Sequence, residues 1–190
     1  MQLRITKLLF LCSFLIGIFL LIKPIYFYSK GYLMQYLLSE SWNEYRINRN
    51  VKYDWFNLQP IGKLTIPRLQ INNIILDGSD NRELAYGLGK IDNSTLIHEP
   101  MKNIANAGHR DSYFKDLKNI VENDDVLLEH IEGVSKYRVE KTIIVNPEEI
   151  DYINNNKKNT LTLITCFPFN FIGSAPQRFI VQCKLIQNFK

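Results

Sequence analysis

The chain has 190 residues and a mass of 22.3 kDa, room for one domain of about 130 residues with an appendage and too little for two full-sized domains. Its net charge of +4 is scattered along the chain without a basic run or a basic helix face, which argues against nucleic acid as a partner and reads as an ordinary solvated surface. Three cysteines without a CxxC pair or a His–Cys cluster offer no metal site, and no cofactor is expected.

The first element is an uncharged run over residues 8–22, flanked by Lys7 and Lys23 and extended by Ile25, Tyr26, Phe27 and Tyr28. Fifteen residues fall short of the roughly 20 that span a bilayer, but the flanking lysines can snorkel and the aromatic cluster suits the interface. A cleaved signal peptide has the same short apolar stretch, yet no Ala-x-Ala site follows, so residues 1–30 read as an uncleaved membrane anchor. Tyr32, Leu33, Tyr36, Leu37 and Leu38 near helical spacing make residues 31–58 a membrane-proximal helix fading into a polar linker. Residues 59–190 are the folded domain.

Within that domain the expected strands are 61–66, 71–76, short extended pieces at 95–97 and 103–107, then 126–131 and 137–145 joined by a turn at Gly133, 160–165 and 177–185. Short helical turns are expected within 79–88 and 116–120, a helix begins at 147–152, and 154–159 is a loop. About eight short strands with short helical connections argue for a closed or nearly closed β-barrel rather than a βαβ array.

Chemistry concentrates near the carboxyl end. Residues 160–165 alternate, placing Cys166 at a strand terminus just before Pro168, Gly173 and Pro176 open a loop. Cys12 lies in the apolar helix, and Cys183 shares a core face with Phe179, Val181 and Leu185, which leaves Cys166 without a structural role; a Cys166–Cys183 disulfide is the minor alternative. A nucleophilic thiol must lose its proton, so a base or cation should stand nearby. His109 in AGHRD, between a strand and a loop, leads on position; His98 sits in a polar turn and His130 ends a strand. Arg178 opens the last strand, where a fixed cationic fork could hold a carbonyl or a developing oxyanion, or simply pair with an acid.

The order His109, then Cys166 in TLITC, then Arg178, behind one amino-terminal anchor, closely resembles the sortases, membrane-anchored cysteine transpeptidases of bacterial cell surfaces. The strings AGHRDSYFKDL, TLITCFPFNFIGSAPQRFIV and IGKLTIPRLQI are similar to class D members, over residues 61–185. The resemblance implies a mainly β fold, a closed eight-stranded sortase-type barrel in which His109, Cys166 and Arg178 are catalytic and Thr165 lines the substrate site. It implies cleavage of an LPxT-type sorting signal after its threonine through a thioacyl intermediate on Cys166, and transfer of the protein to an amine of a peptidoglycan precursor. The catalytic domain would then lie outside the cell on a single-pass membrane anchor. An anchored cysteine endopeptidase using water, or a non-catalytic surface-binding barrel, are the alternatives. Two segments depart from the family pattern: Asn103 and Asn106 interrupt an otherwise apolar strand, and His98-Glu99-Pro100 replaces a smaller, glycine-rich turn.

Overall fold

A computed structural model describes residues 2–49, 57–91, 103–149 and 159–189. The expectations at 95–97, at His98 and over most of 147–152 and 154–159 lie outside the described residues; residues 147–148 form a turn.

Eight strands close a barrel: β1 (Pro60–Ile66), β2 (Ile71–Leu76), β3 (Leu88–Lys90), β4 (Asn103–Ala107), β5 (Asp125–His130), β6 (Gly133–Val145), β7 (Thr160–Phe167) and β8 (Gln177–Phe189). Their order around the barrel is β1-β2-β3-β4-β7-β8-β6-β5, with β5 returning to β1. The pairs β2–β3 and β4–β7 are parallel and the others antiparallel. β1 shows how the sequence dictates this: Gly62, Leu64 and Ile66 turn inward and their neighbours outward, the period-two pattern of a half-buried strand. The barrel core gathers Leu64, Ile66, Ile75, Leu128, Leu161 and Val181, with Phe114 and Leu117 plugging one end.

β3 escaped sequence reasoning because it is three residues long with a glycine at its centre, too short to alternate. A side chain at Gly89 would lie 2.6 Å from the Gly78 carbonyl oxygen, so only glycine lets β3 pass that close. β6 starts four residues earlier than expected, at Gly133, and the turn comes before it. The polar residues Ser135 and Lys136 hid its beginning, although they pair with β5 and β8 on either side.

The amino-terminal part is one continuous helix, α1 (Gln2–Asn48), which takes in both the apolar run and the membrane-proximal segment. It carries one stretch long and apolar enough to cross a membrane. The helix persists beyond that stretch because Met34, Leu38 and Trp42, spaced four apart, form a stripe buried against Leu58, Ile74 and Leu76. Gln35 Nε2 donates to the Tyr86 carbonyl at one end of this docked segment, and Arg46 pairs with Glu129 at 2.7 Å at the other.

Candidate active site

Three neighbouring strands deliver three candidate residues to one edge of the barrel. β7 and β8 pair antiparallel with Cys166 directly opposite Arg178. Side chains so placed share a face with Cβ atoms roughly 5 Å apart. β4 runs parallel to β7 on its other side with Ala107 opposite Ile164, and the Gly108 N–H donates to the Ile164 carbonyl at 3.1 Å. His109 is the next residue along the chain, and Cys166 stands two residues beyond Ile164 on β7.

The backbone leading to His109 is fixed from several directions. Thr165 is buried, and its hydroxyl donates to the Gly108 carbonyl at 2.7 Å. The His109 carbonyl accepts the Phe114 N–H at 2.9 Å, closing the loop above the buried Phe114 ring. A Cβ at Gly108 would stand 2.6 Å from both Leu88 Cδ2 and Phe114 Cδ2, so any larger residue there would push these two fully buried side chains aside. The His109 ring itself is exposed, whereas Cys166 and Arg178 are half-buried. Arg178 Nη1 donates to the carbonyls of Ala175 (3.2 Å) and Gln177 (3.0 Å), anchoring one arm of its fork. Below the site, Phe169 packs edge-on against Phe179 with centroids 5.3 Å apart, holding the strand ends together as the chain leaves Cys166.

A cleft of about 240 Å³ adjoins Arg178. Ile91, Ala107, Val145, Ile164 and Ile180 give it an apolar floor, with Arg178 and Glu149 at its polar margin. The outward face of β4, β7 and β8 thus carries an apolar hollow that reaches Arg178, the residue opposite Cys166.

The other candidates fall elsewhere. His130 is buried, with Nε2 2.9 Å from the Ser135 hydroxyl, and holds the β5–β6 turn. Cys183 is free and fully buried, and burial pushes its thiol far up, so it is inert packing. Cys166 is also free, which sets the disulfide alternative aside. Thr165, expected on the substrate side, turns its hydroxyl inward to Gly108.

Position alone missed Arg110. Its Nη2 donates to the carbonyls of Phe171 (2.5 Å) and Gly173 (2.9 Å), and its guanidinium lies 5.9 Å from the centre of the Phe171 ring. The residue after His109 therefore ties down the loop between Cys166 and Arg178. The available signal was its place beside the candidate histidine in the AGHR string.

Residues 64–186 match the family model of the Sortase domain. Sortase D of Bacillus subtilis (strain 168) is 32% identical over 129 residues, covering 67% of this chain and 65% of that protein. Sortase A of Streptococcus agalactiae serotype III (strain NEM316) is 30% identical over 138 residues, 68% of this chain and 54% of that protein. The chain therefore spans less than two thirds of either relative. Among solved structures, a Clostridium perfringens Sortase D5 transpeptidase is similar with a TM-score of 0.67 and 21% identity, covering 81% of this chain and 99% of that one. Sortase A from Corynebacterium diphtheriae is similar with a TM-score of 0.63 and 24% identity, covering 68% and 62%. These structural likenesses speak to the fold, and the match over residues 64–186 speaks to descent: the chain belongs to the sortase family, and is D-like within it.

Proposed function

We propose that this chain is a membrane-anchored cysteine transpeptidase that cleaves an LPxT-type sorting signal after its threonine and joins the new carboxyl end to an amine of the cell wall. The observation that carries the reading is the strand register, Cys166 opposite Arg178 with Gly108 hydrogen-bonded to the same strand, beside an apolar groove. Residues 59–190 would form the catalytic domain outside the cell and residues 1–30 the anchor, with 31–58 between them.

In this reading the Cys166 thiolate attacks the threonine carbonyl carbon, and a C–S bond forms as the carbonyl electrons move to oxygen. Arg178 offers the N–H groups of its fork not taken by Ala175 and Gln177 to that oxyanion and to the substrate backbone. The intermediate collapses, the C–N bond breaks, and His109 protonates the leaving amine. The acceptor amine then attacks the thioester, His109 takes its proton, and the sulfur departs as thiolate. The exposure of His109 suits a base that must meet both a leaving and an entering amine.

The test is Cys166→Ala in the full chain. It should fold like the wild type yet show no cleavage of LPxT-type peptides, a loss of at least about 1,000-fold given the weight a covalent nucleophile carries. With the wild type, excess amine should yield ligated product in place of the free acid. Cleavage retained in Cys166→Ala removes the assignment, and free acid alone at saturating amine reduces the chain to an endopeptidase.

A further inference from the structure

A cleft of about 500 Å³, about twice the volume of the groove at Arg178, opens between α1 and the barrel, and nothing in the chemistry above uses it. Besides Ala85, its walls come from three places. α1 contributes Tyr32 and Gln35, a few residues beyond the apolar and aromatic run that the sequence carries to Tyr28. The start of β2 contributes Gln70, Asn72 and Asn73, and the loop that begins at His109 contributes Ser112, Tyr113 and Asp116. A second hollow of about 240 Å³ shares Tyr32, Gln35 and Asn72 and runs on along the helix to Ser39 and Lys63, so the two form one groove.

The lining selects a ligand class. Among the described residues lining the 500 Å³ cleft there is no lysine or arginine and one carboxylate, Asp116, so a phosphate finds no counter-charge and a multivalent cation too little. What it offers is amides, which donate and accept at once, together with tyrosine rings. Gln70, Asn72 and Asp116 are exposed and take no side-chain hydrogen bond from other described residues. Burial pushes the Tyr113 phenol up, so it stays protonated and donates at 3.0 Å to the Ala85 carbonyl, holding its ring at the cleft wall. The Asn73 amide in turn holds the Tyr113 carbonyl at 2.8 Å. A fixed ring beside neutral amide donors and acceptors fits a polyhydroxylated, acetamido-bearing sugar.

Position supplies the rest. One wall is helix just beyond the apolar stretch, so a sugar carried on a membrane lipid reaches the cleft without leaving the surface. Another wall is the loop that carries His109, with Ser112 three residues from it. An extended peptide arm of three to five residues attached to that sugar spans roughly 10 to 17 Å, a reach suited to carrying its amine past Ser112 to the thioester. We infer that this cleft is the docking site for the sugar portion of a membrane-tethered, amine-bearing acceptor. The inference rests on the transpeptidase reading, and it puts the acceptor on the helix side of the His109 loop, opposite the groove that receives the sorting signal.

The test compares two acceptors, a disaccharide–peptide built of N-acetylated amino sugars and the same peptide amine without sugar, using the full chain in nanodiscs. Asn72→Ala and Tyr32→Ala alter exposed side chains. Each should raise the KM for the disaccharide–peptide about tenfold and leave unchanged both the KM for the bare amine and the cleavage of sorting peptide. A lipid-linked form of the disaccharide–peptide in the same nanodisc should half-saturate at a lower bulk concentration than the soluble one. Equal effects on both acceptors, or none, overturn the proposal while leaving the cleavage reaction standing. If no sorting peptide is cleaved, the transpeptidase reading fails on its own. Calorimetric titration of the Cys166→Ala chain with the disaccharide–peptide then decides the cleft: binding that Asn72→Ala abolishes supports it, and absence of binding sinks it.

Discussion

Arg110 shows how a single side chain can order a site without entering its chemistry. Its fork spans the gap between the strand end that presents His109 and the loop that separates Cys166 from Arg178, using one nitrogen for two carbonyls. Charge alone cannot do this; the geometry needs a planar group of that length. Arg110→Gln and Arg110→Lys should therefore both release the loop. We expect kcat/KM for a sorting peptide to fall ~10- to 100-fold in each, the scale on which displacements near 1 Å are felt, with the unfolding midpoint nearly unchanged. Steady-state cleavage kinetics alongside thermal unfolding check this, and a lysine variant that turns over like the wild type would show that only the charge mattered. Asn106 is the contrary case. Its amide is fully buried with neither Oδ1 nor Nδ2 paired among the described residues, although its β4 neighbour Asn103 accepts from both Thr160 and Thr162. The two asparagines look alike in the string NIAN, yet only the fold separates the outward one, which serves the strand pairing, from the inward one.

At the scale of elements, the strands were legible where a half-buried face imposed alternation, as in β1 and β5, and where an apolar or alternating sequence ran into turn residues, as in β2 and β7, which are buried along most of their length. They were not legible where glycine or polar residues served a purpose the pattern does not encode, as in β3 and the first turn of β6. The placement of Cys166 followed from the same logic: it is the last residue but one of β7, opposite Arg178. What no local pattern reveals is which edges meet, and the parallel pairing of β4 with β7 is what brings Gly108, the residue before His109, onto Ile164. The second half of α1 was half-legible. Its helical spacing was plain, but an apolar stripe of three residues does not say what covers it, and the answer lies in Ile74 and Leu76 of β2. Trp42 is completely buried there, so Trp42→Ala should destabilise the full chain by about 3 kcal/mol, the lower end for a large buried ring whose indole N–H has no partner to lose. Leu33 stands half-exposed on another side of the same helix, and Leu33→Ala should stay within about 0.5 kcal/mol. Urea unfolding in detergent, followed by circular dichroism, measures both. Equal small effects would mean the helix does not dock.

For the whole molecule, barrel closure depends on the seam where β5 completes the ring beside β1, and one carboxylate serves it. Asp124 is buried just ahead of β5 and receives both Nε and Nη2 of Arg68, at 2.5 and 2.6 Å, from the turn after β1. It also accepts the Val121 N–H at 2.9 Å, while its backbone pairs with Val139 of β6. Hydrogen bonds from Arg68 hold its carboxyl below the usual carboxylate range; burial opposes them, and the Val121 N–H adds to them. A carboxyl depressed in the folded state contributes stability that is complete above its unfolded value, near pH 4, and is lost as pH falls through the folded value. Asp125, depressed by Lys136, by Arg138 and against its own burial, acts in the same window, so the fold should weaken in acid below about pH 4. Asp124→Asn isolates the part due to Asp124. At pH 7 it should cost about 1.5 kcal/mol, at the low end for hydrogen bonds to a charged group because the Arg68 side chain is half-exposed and screened. Below about pH 4 the gap between wild type and variant should narrow toward zero as the native carboxyl takes up its proton. Unfolding midpoints of both proteins from pH 7 to pH 2 decide the matter: a gap that stays constant across that range would mean the seam is held by shape and backbone pairing, with the Arg68–Asp124 charge contributing nothing.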